Sequence, residues 1–207
     1  MYLFSRSTIA TLGREFDAIP AAIEVGAMVT KITGREVNVF TALFGAPRGS
    51  VMWSARADSL DDFQGTTDKL MADSGYLEKL ESMNGLFMAP AEDRFARFIT
   101  PAVEATSKYY GITRAAMANG KFADAMAFGV EAAEYIGTSM KRPSAFVKAA
   151  YGGFGDVTWI TGFDTMAEVD AFDDWQMTDA GYHDILQRSG GLFVENSGHT
   201  SLIEKLT

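Results

Sequence analysis

The chain has 207 residues, 47% hydrophobic and 12% aromatic, enough to bury a sizeable core, and a formal net charge of −9. That charge argues against nucleic-acid partners, which want clustered Lys and Arg, and the lack of cysteine excludes disulfides, thiolate catalysis, iron–sulfur clusters and cysteine-based zinc sites. No apolar run approaches the roughly 18 residues that span a bilayer, and the start shows no basic region leading into an apolar stretch, so a cytoplasmic chain without membrane partners is expected.

Residues 2–9 are rich in aromatic and β-branched side chains and read as a strand closed by Gly13. Phe16, Ile19, Ala22, Ile23 and Gly26 recur at helical spacing, predicting an amphipathic helix over 14–31. Pro20 implies a late start or a kink there, and Gly34 ends the element. Residues 37–44 and 51–57 are apolar strands joined by the turn 45–49, a hairpin. Asp58-Ser59 offers an N-cap to a helix over 60–71, Asp73-Ser74-Gly75 breaks it, and a short helix covers 76–83. Asn84-Gly85 stops that piece, and a fourth strand begins at 86–88.

The same order returns. At an ungapped shift of 106 positions Val51, Trp53, Asp58, Asp73, Gly75, Tyr76, Gly85 and Phe87 meet Val157, Trp159, Asp164, Asp179, Gly181, Tyr182, Gly191 and Phe193. Phe16 and Phe122, Ala27 and Ala133, Phe40 and Phe146, and Gly49 and Gly155 extend that register upstream. Two fused copies of one unit follow, with domains at 1–100 and 106–207 and a connection over 89–105 containing an amphipathic piece at 94–99. The second copy reads as strand 108–114, helix 121–136, strand 144–150, turn 151–155, strand 157–163, helices 165–176 and 182–187, and a last strand at 192–194. The tail 199–206 is expected to pair as an edge strand. Each copy is β-α-β-β-α-β, the ferredoxin-like order, with an antiparallel sheet carrying helices on one face. The other face must be covered, so the fold class is α+β, two tandem ferredoxin-like units whose sheets face each other as a barrel within the chain.

A strand bearing Trp, a capped helix, then Asp-Ser-Gly-Tyr with Leu80 four residues beyond Tyr76, resembles the dimeric α+β barrel superfamily. That group includes antibiotic-biosynthesis-monooxygenase-like, NIPSNAP-like and EthD-like domains. The resemblance implies a pocket, and an enzyme that processes a small hydrophobic or aromatic molecule with a monooxygenase-like, cofactor-independent chemistry; isomerisation or cyclisation would need the same parts. The alternatives are a non-catalytic ligand-binding or stress-associated protein, and a haem protein with His199 or His183 as proximal ligand. Edge strands left by each half would also allow a homodimer.

The residues that would carry chemistry are few. Trp53 and Trp159 occupy equivalent strand positions and are either sheet–helix core or a flat wall for substrate. Asn38 interrupts an apolar strand, with Ser144 as its counterpart at the 106 shift; a buried amide needs partners, so it is a candidate oxyanion donor. His199, near Glu195, is the candidate general base. Arg56 and Lys148, whose counterparts at that shift are Gly162 and Ala42, are candidate contacts to an anionic substrate; Arg6 and Arg114 are read the same way. The glycines of 152–155 sit within a hairpin and lack the strand-to-helix geometry of a phosphate cradle.

Overall fold

The computed structural model describes residues 1–102 and 104–207, and all of their side chains except those at 89 and 90. The elements are β1 (Tyr2–Ala10), α1 (Glu15–Thr33), β2 (Val37–Phe44), β3 (Ser50–Ala57), α2 (Leu60–Met71), α3 (Ser74–Ser82) and β4 (Phe87–Phe98), then β5 (Tyr109–Ala116), α4 (Phe122–Met140), β6 (Ser144–Tyr151), β7 (Asp156–Phe163), α5 (Met166–Thr178), α6 (Ala180–Gln187) and β8 (His199–Lys205). The strands are hydrogen-bonded in the order β1-β3-β2-β8-β5-β7-β6-β4, a closed barrel. Two compact units divide the chain, one of Met1–Phe95 with Glu204–Thr207 and one of Ala96–Ile203, so the boundaries fall inside β4 and β8. Among the described residues no helix is long and apolar enough to cross a membrane.

Two strands differ from the sequence reading. The segment 94–99 belongs largely to β4, a 12-residue strand, rather than to an amphipathic connection; Val103 of that predicted connection lies outside the described residues. The strand foreseen at 192–194 shrinks to one bridge between Met117 and Phe193. The Leu192 carbonyl takes the Ala118 amide just as the Leu86 carbonyl takes that of Thr11. In the second copy the chain then turns through Asn196, which has a positive φ of 60°, and the long strand is instead β8. The predicted edge strand therefore has neighbours on both sides, β2 and β5.

The register of the repeat also changes. Trp53 is paired with Arg6 and Val39, whereas Trp159 is paired with Thr113 and Phe146. The tryptophans stand 106 apart, but the residues beside them stand 107 apart, as do the starts of the 19-residue helices α1 and α4. The extra residue lies in the hairpin turn, 45–49 in the first copy and 152–155 in the second, where an insertion is cheapest because the loop is exposed. Upstream of that turn the counterparts are Asn38 and Ala145, Val39 and Phe146, and Thr41 and Lys148. Ser144, Phe40 and Ala42 therefore lose the pairings inferred for them, and the Phe16–Phe122 and Ala27–Ala133 matches are coincidences of the ungapped shift.

The corrected offset exposes features kept in both copies. Arg35 bridges Asp62 at 2.7 Å, and the Asp62 carboxylate also takes the Asp58 amide, at 2.9 Å. Its counterpart Arg142 meets Glu168, which takes the Asp164 amide at 2.7 Å. Each arginine thus ties the start of the strand after the first helix to the N-terminal turn of the second. The Arg35 guanidinium holds the Asp62 carboxyl below its ordinary value, with the Asp58 amide adding to the effect. Both first helices end on a left-handed residue, Gly34 (φ 76°) in one and Lys141 (φ 52°) in the other.

A side chain with a Cβ is strained in that conformation by roughly 1–2 kcal/mol, and glycine is the usual residue there. Lys141→Gly, which copies the first unit, is expected to raise the thermal midpoint by roughly 2–4 °C; a midpoint unchanged or lowered in a melting experiment counts against this account of the cap.

Candidate functional site

Alternation along a strand gives each sheet two faces. In the first unit Val39 and Val51 pack with Ala22, and Ile19, Ile23 and Trp53 close around them, so this face carries α1. The residues between point the other way. There Ser54 of β3 is opposed by Ser5 of β1 and by Asn38 of β2, a polar row across three adjacent strands. Directly opposed side chains on one face sit about 4.5–5.5 Å apart at Cβ. Leu3 and Arg56 form the next row on one side, and Ser7, Met52 and Phe40 the next on the other.

Asn38 and Ser54 are each only 8% exposed. Among the described residues, none of the side chains of Ser5, Ser54 and Asn38 is hydrogen-bonded to protein. Ser5 is half-buried, and the polar atoms of the row keep access to solvent. The second unit shows that the fold does not require such a row: its matching row is Ile112, Ile160 and Ala145. Where one copy closes the face with carbon, the other presents two hydroxyls and an amide.

The residues singled out from sequence are distributed unevenly. Asn38 lies in the row and Arg56 beside it on the same face. Trp53 and Trp159 lie on the helix side: the Trp53 indole N–H donates to the Ala22 carbonyl at 2.9 Å and that of Trp159 to the Gly129 carbonyl at 3.0 Å. Phe87 meets Trp53 edge-on, and Phe128, Phe146 and Phe193 surround Trp159. Lys148 is also on the helix side, its ammonium donating to the Ala149 carbonyl and standing 5.8 Å from the Phe122 ring centre. Arg6 makes a two-point pair with Asp93, both contacts at 2.7 Å, which raises its pKa. Arg114 faces Thr158 across β5 and β7.

Asn38 belongs to the first unit, and His199, exposed at the start of β8, to the second. His183 is exposed on α6 with Nε2 2.9 Å from the Gln176 carbonyl. Among the described residues no group of three His, Cys, Asp or Glu is placed to hold a metal. A shallow groove of about 430 Å³ in the second unit runs past Thr100, Glu134, Thr138, Arg142 and Ser144, and its cation, Arg142, is already committed to Asp164 and Glu168.

Sequence reasoning missed Ser5 and Ser54. The signal for Ser54 was present: it and Asn38 are equidistant from Ala46 in the hairpin turn, which fixes them as opposed. Ser5 needed the pairing of β1 with β3, a long-range contact that no local pattern announces.

No family model and no curated protein matches the chain. Solved structures do. A Fusobacterium nucleatum protein provisionally named a monooxygenase superposes with a TM-score of 0.74 at 7% identity, covering 100% of this chain and 92% of that one. An anthrone oxidase-like protein gives 0.70 at 12% identity, covering 100% and 91%. A Lactobacillus acidophilus protein, also provisionally named a monooxygenase, gives 0.67 at 9% identity, covering 100% and 94%. The chain shares the fold of these three structures. Likeness at such identities carries the fold and leaves the chemistry to the residues.

Within that fold the two indoles join sheet to helix, so their loss is expected to be felt in stability. Trp159→Phe leaves the Gly129 carbonyl without its donor at a cost of about 1–3 kcal/mol, a fall in thermal midpoint of several degrees. Small-molecule binding should be unchanged in a titration at a temperature where the variant is folded. Loss of binding with an unchanged midpoint would make the indole a substrate wall instead.

Proposed function

We propose that this chain is a monooxygenase-like enzyme that works without a bound cofactor on a small aromatic molecule bearing an enolisable carbonyl or a phenol. The oxygen of that substrate is held by Ser5, Ser54 and Asn38. The observation that carries the reading is the polar row without protein partners, buried at Asn38 and Ser54 and half-buried at Ser5, present in one copy of the repeat and replaced by Ile112, Ile160 and Ala145 in the other. The fold shared with proteins provisionally named monooxygenases and with an anthrone oxidase-like protein supports it.

The chemistry asks little of the protein. Donors fixed in a water-poor setting stabilise an oxyanion better than water does, because they need not reorganise as charge develops. Arg56, one row away on the same face, adds positive field. None of the three row residues is a base, so the fitting substrate is one acidic enough to ionise once its oxygen is bound. With an anthrone as the example, the ionised carbon gives its electrons to dioxygen and a carbon–oxygen bond forms. The resulting hydroperoxide loses water to leave a new carbonyl. One oxygen atom ends in product and one in water, and all four electrons come from the substrate. The residues contribute binding, orientation and exclusion of water.

The test is oxygen uptake with anthrone by the protein as isolated. Turnover is expected without added cofactor, and Asn38→Ala should lower kcat/KM by roughly 100-fold, the usual effect of removing an oxyanion donor. Ser144→Ala, outside the row, should leave it unchanged. Saturable anthrone binding without oxygen uptake would identify a ligand-binding protein instead. A Soret band in the isolated protein would identify a haem protein.

A further inference from the structure

α5 and α6 carry a stack of half-buried rings that the first unit lacks. Trp175 lies against Phe172 at 5.7 Å between centroids, against Tyr135 of α4 at 6.1 Å, and against Tyr182 of α6 at 5.0 Å. The stack is held in place: the Tyr135 hydroxyl donates to the Asp179 carboxylate at 2.8 Å, and the Gln176 amide donates to the Tyr182 hydroxyl at 2.8 Å. Gly181 leaves room for it, since a Cβ there would come within 2.1 Å of the Tyr135 oxygen. The counterparts in the first unit are Thr66, Lys69 and Met28. Only Tyr76 is shared, and it is 5% exposed. Phe172 also packs on the buried Phe163, at 5.2 Å between centroids, but α5 has no fully buried residue and Trp175 stays half-exposed.

The charge around the stack has one sign. Between Asp164 and Gln187 there is no Lys or Arg. Arg142 serves Asp164 and Glu168, and Arg188 serves Glu131. That leaves Asp170, Asp173, Asp174 and Asp184 exposed on the two helices. Asp179 lies among them, its carboxyl held below the ordinary value first by the Tyr182 amide and then by the Tyr135 hydroxyl. The corresponding helices of the first unit include Lys69 and Lys79, and Lys69 stands where Trp175 does.

We propose that the α5–α6 face docks a basic, arginine-containing segment of another protein, with a guanidinium laid on the Trp175–Tyr182 surface and the aspartates around it. Arginine fits better than lysine because its planar head stacks on rings and is weakly hydrated. The surrounding negative field speeds encounter with a cationic partner.

The experiment titrates the full chain with nona-arginine and with nona-lysine at low salt, by calorimetry and tryptophan fluorescence. Trp53 and Trp159 are bonded into the cores, so Trp175 is the indole left to respond. Expected are saturable binding, tighter for the arginine peptide, with altered fluorescence. Trp175→Lys, copying the first unit, should weaken the arginine peptide about tenfold at a temperature where the variant is folded, and Trp175→Phe should keep most of the affinity. The proposal is overturned if the two peptides bind alike and Trp175→Lys changes nothing, or if no saturable binding occurs.

Discussion

An indole N–H bonded to a helix carbonyl fixes the geometry of each unit. The bond is made twice, Trp53 to Ala22 and Trp159 to Gly129. The donors are 106 positions apart and the acceptors 107, so the bond survived a change of chain length in the turn between. It commits one face of the central strand to its helix. By the alternation of a strand, the opposite face then shows Ser54 in the first unit and Ile160 in the second. The packing at Trp159 leaves little slack: Gly129 gives its carbonyl to the indole, and a Cβ on it would fall 2.1 Å from the Phe146 ring.

From that constraint comes the contrast on which the functional reading rests. Two copies of one fold place their strands in the same register, yet one carries Ser5, Ser54 and Asn38 where the other carries Ile112, Ile160 and Ala145. Burial of apolar side chains is the ordinary way to stabilise such a face. A copy that forgoes this gives up that gain, and sites of that kind are where proteins depart from local rules. The second unit departs elsewhere, on its outer helices, where rings and aspartates replace Thr66, Lys69 and Met28. The two halves thus differ in side-chain chemistry on different faces.

Much of this was written legibly in the chain. The doubling, the ferredoxin-like order, the paired tryptophans and the capped second helices all come from local patterns: Asp58-Ser59, Asp73 and Asp179 sit where helices need side-chain acceptors. Of the site, Asn38 and Arg56 were legible. An ungapped comparison cannot see one residue gained in a hairpin turn, and it gave Asn38 the wrong partner, Ser144 in place of Ala145. Strand pairing between β1 and β3 is a long-range contact, so Ser5 carried no signal. β4 was cut short because Pro90 and the polar residues after it read as a connection, whereas the strand's hydrogen-bonded neighbours β1 and β6 carry it to Phe98.

The most direct measurement replaces the whole row at once, Ser5→Ala, Asn38→Ala and Ser54→Ala together, and reads thermal stability and anthrone oxidation on the same sample. Groups that make no bond to protein contribute little to folding, so the account predicts a midpoint within about 3 °C of the parent and oxidation reduced to the uncatalysed rate. Parental oxidation in the triple variant, or a midpoint lower by on the order of 10 °C, would contradict it, because the row would then be either idle or part of what holds the sheet together.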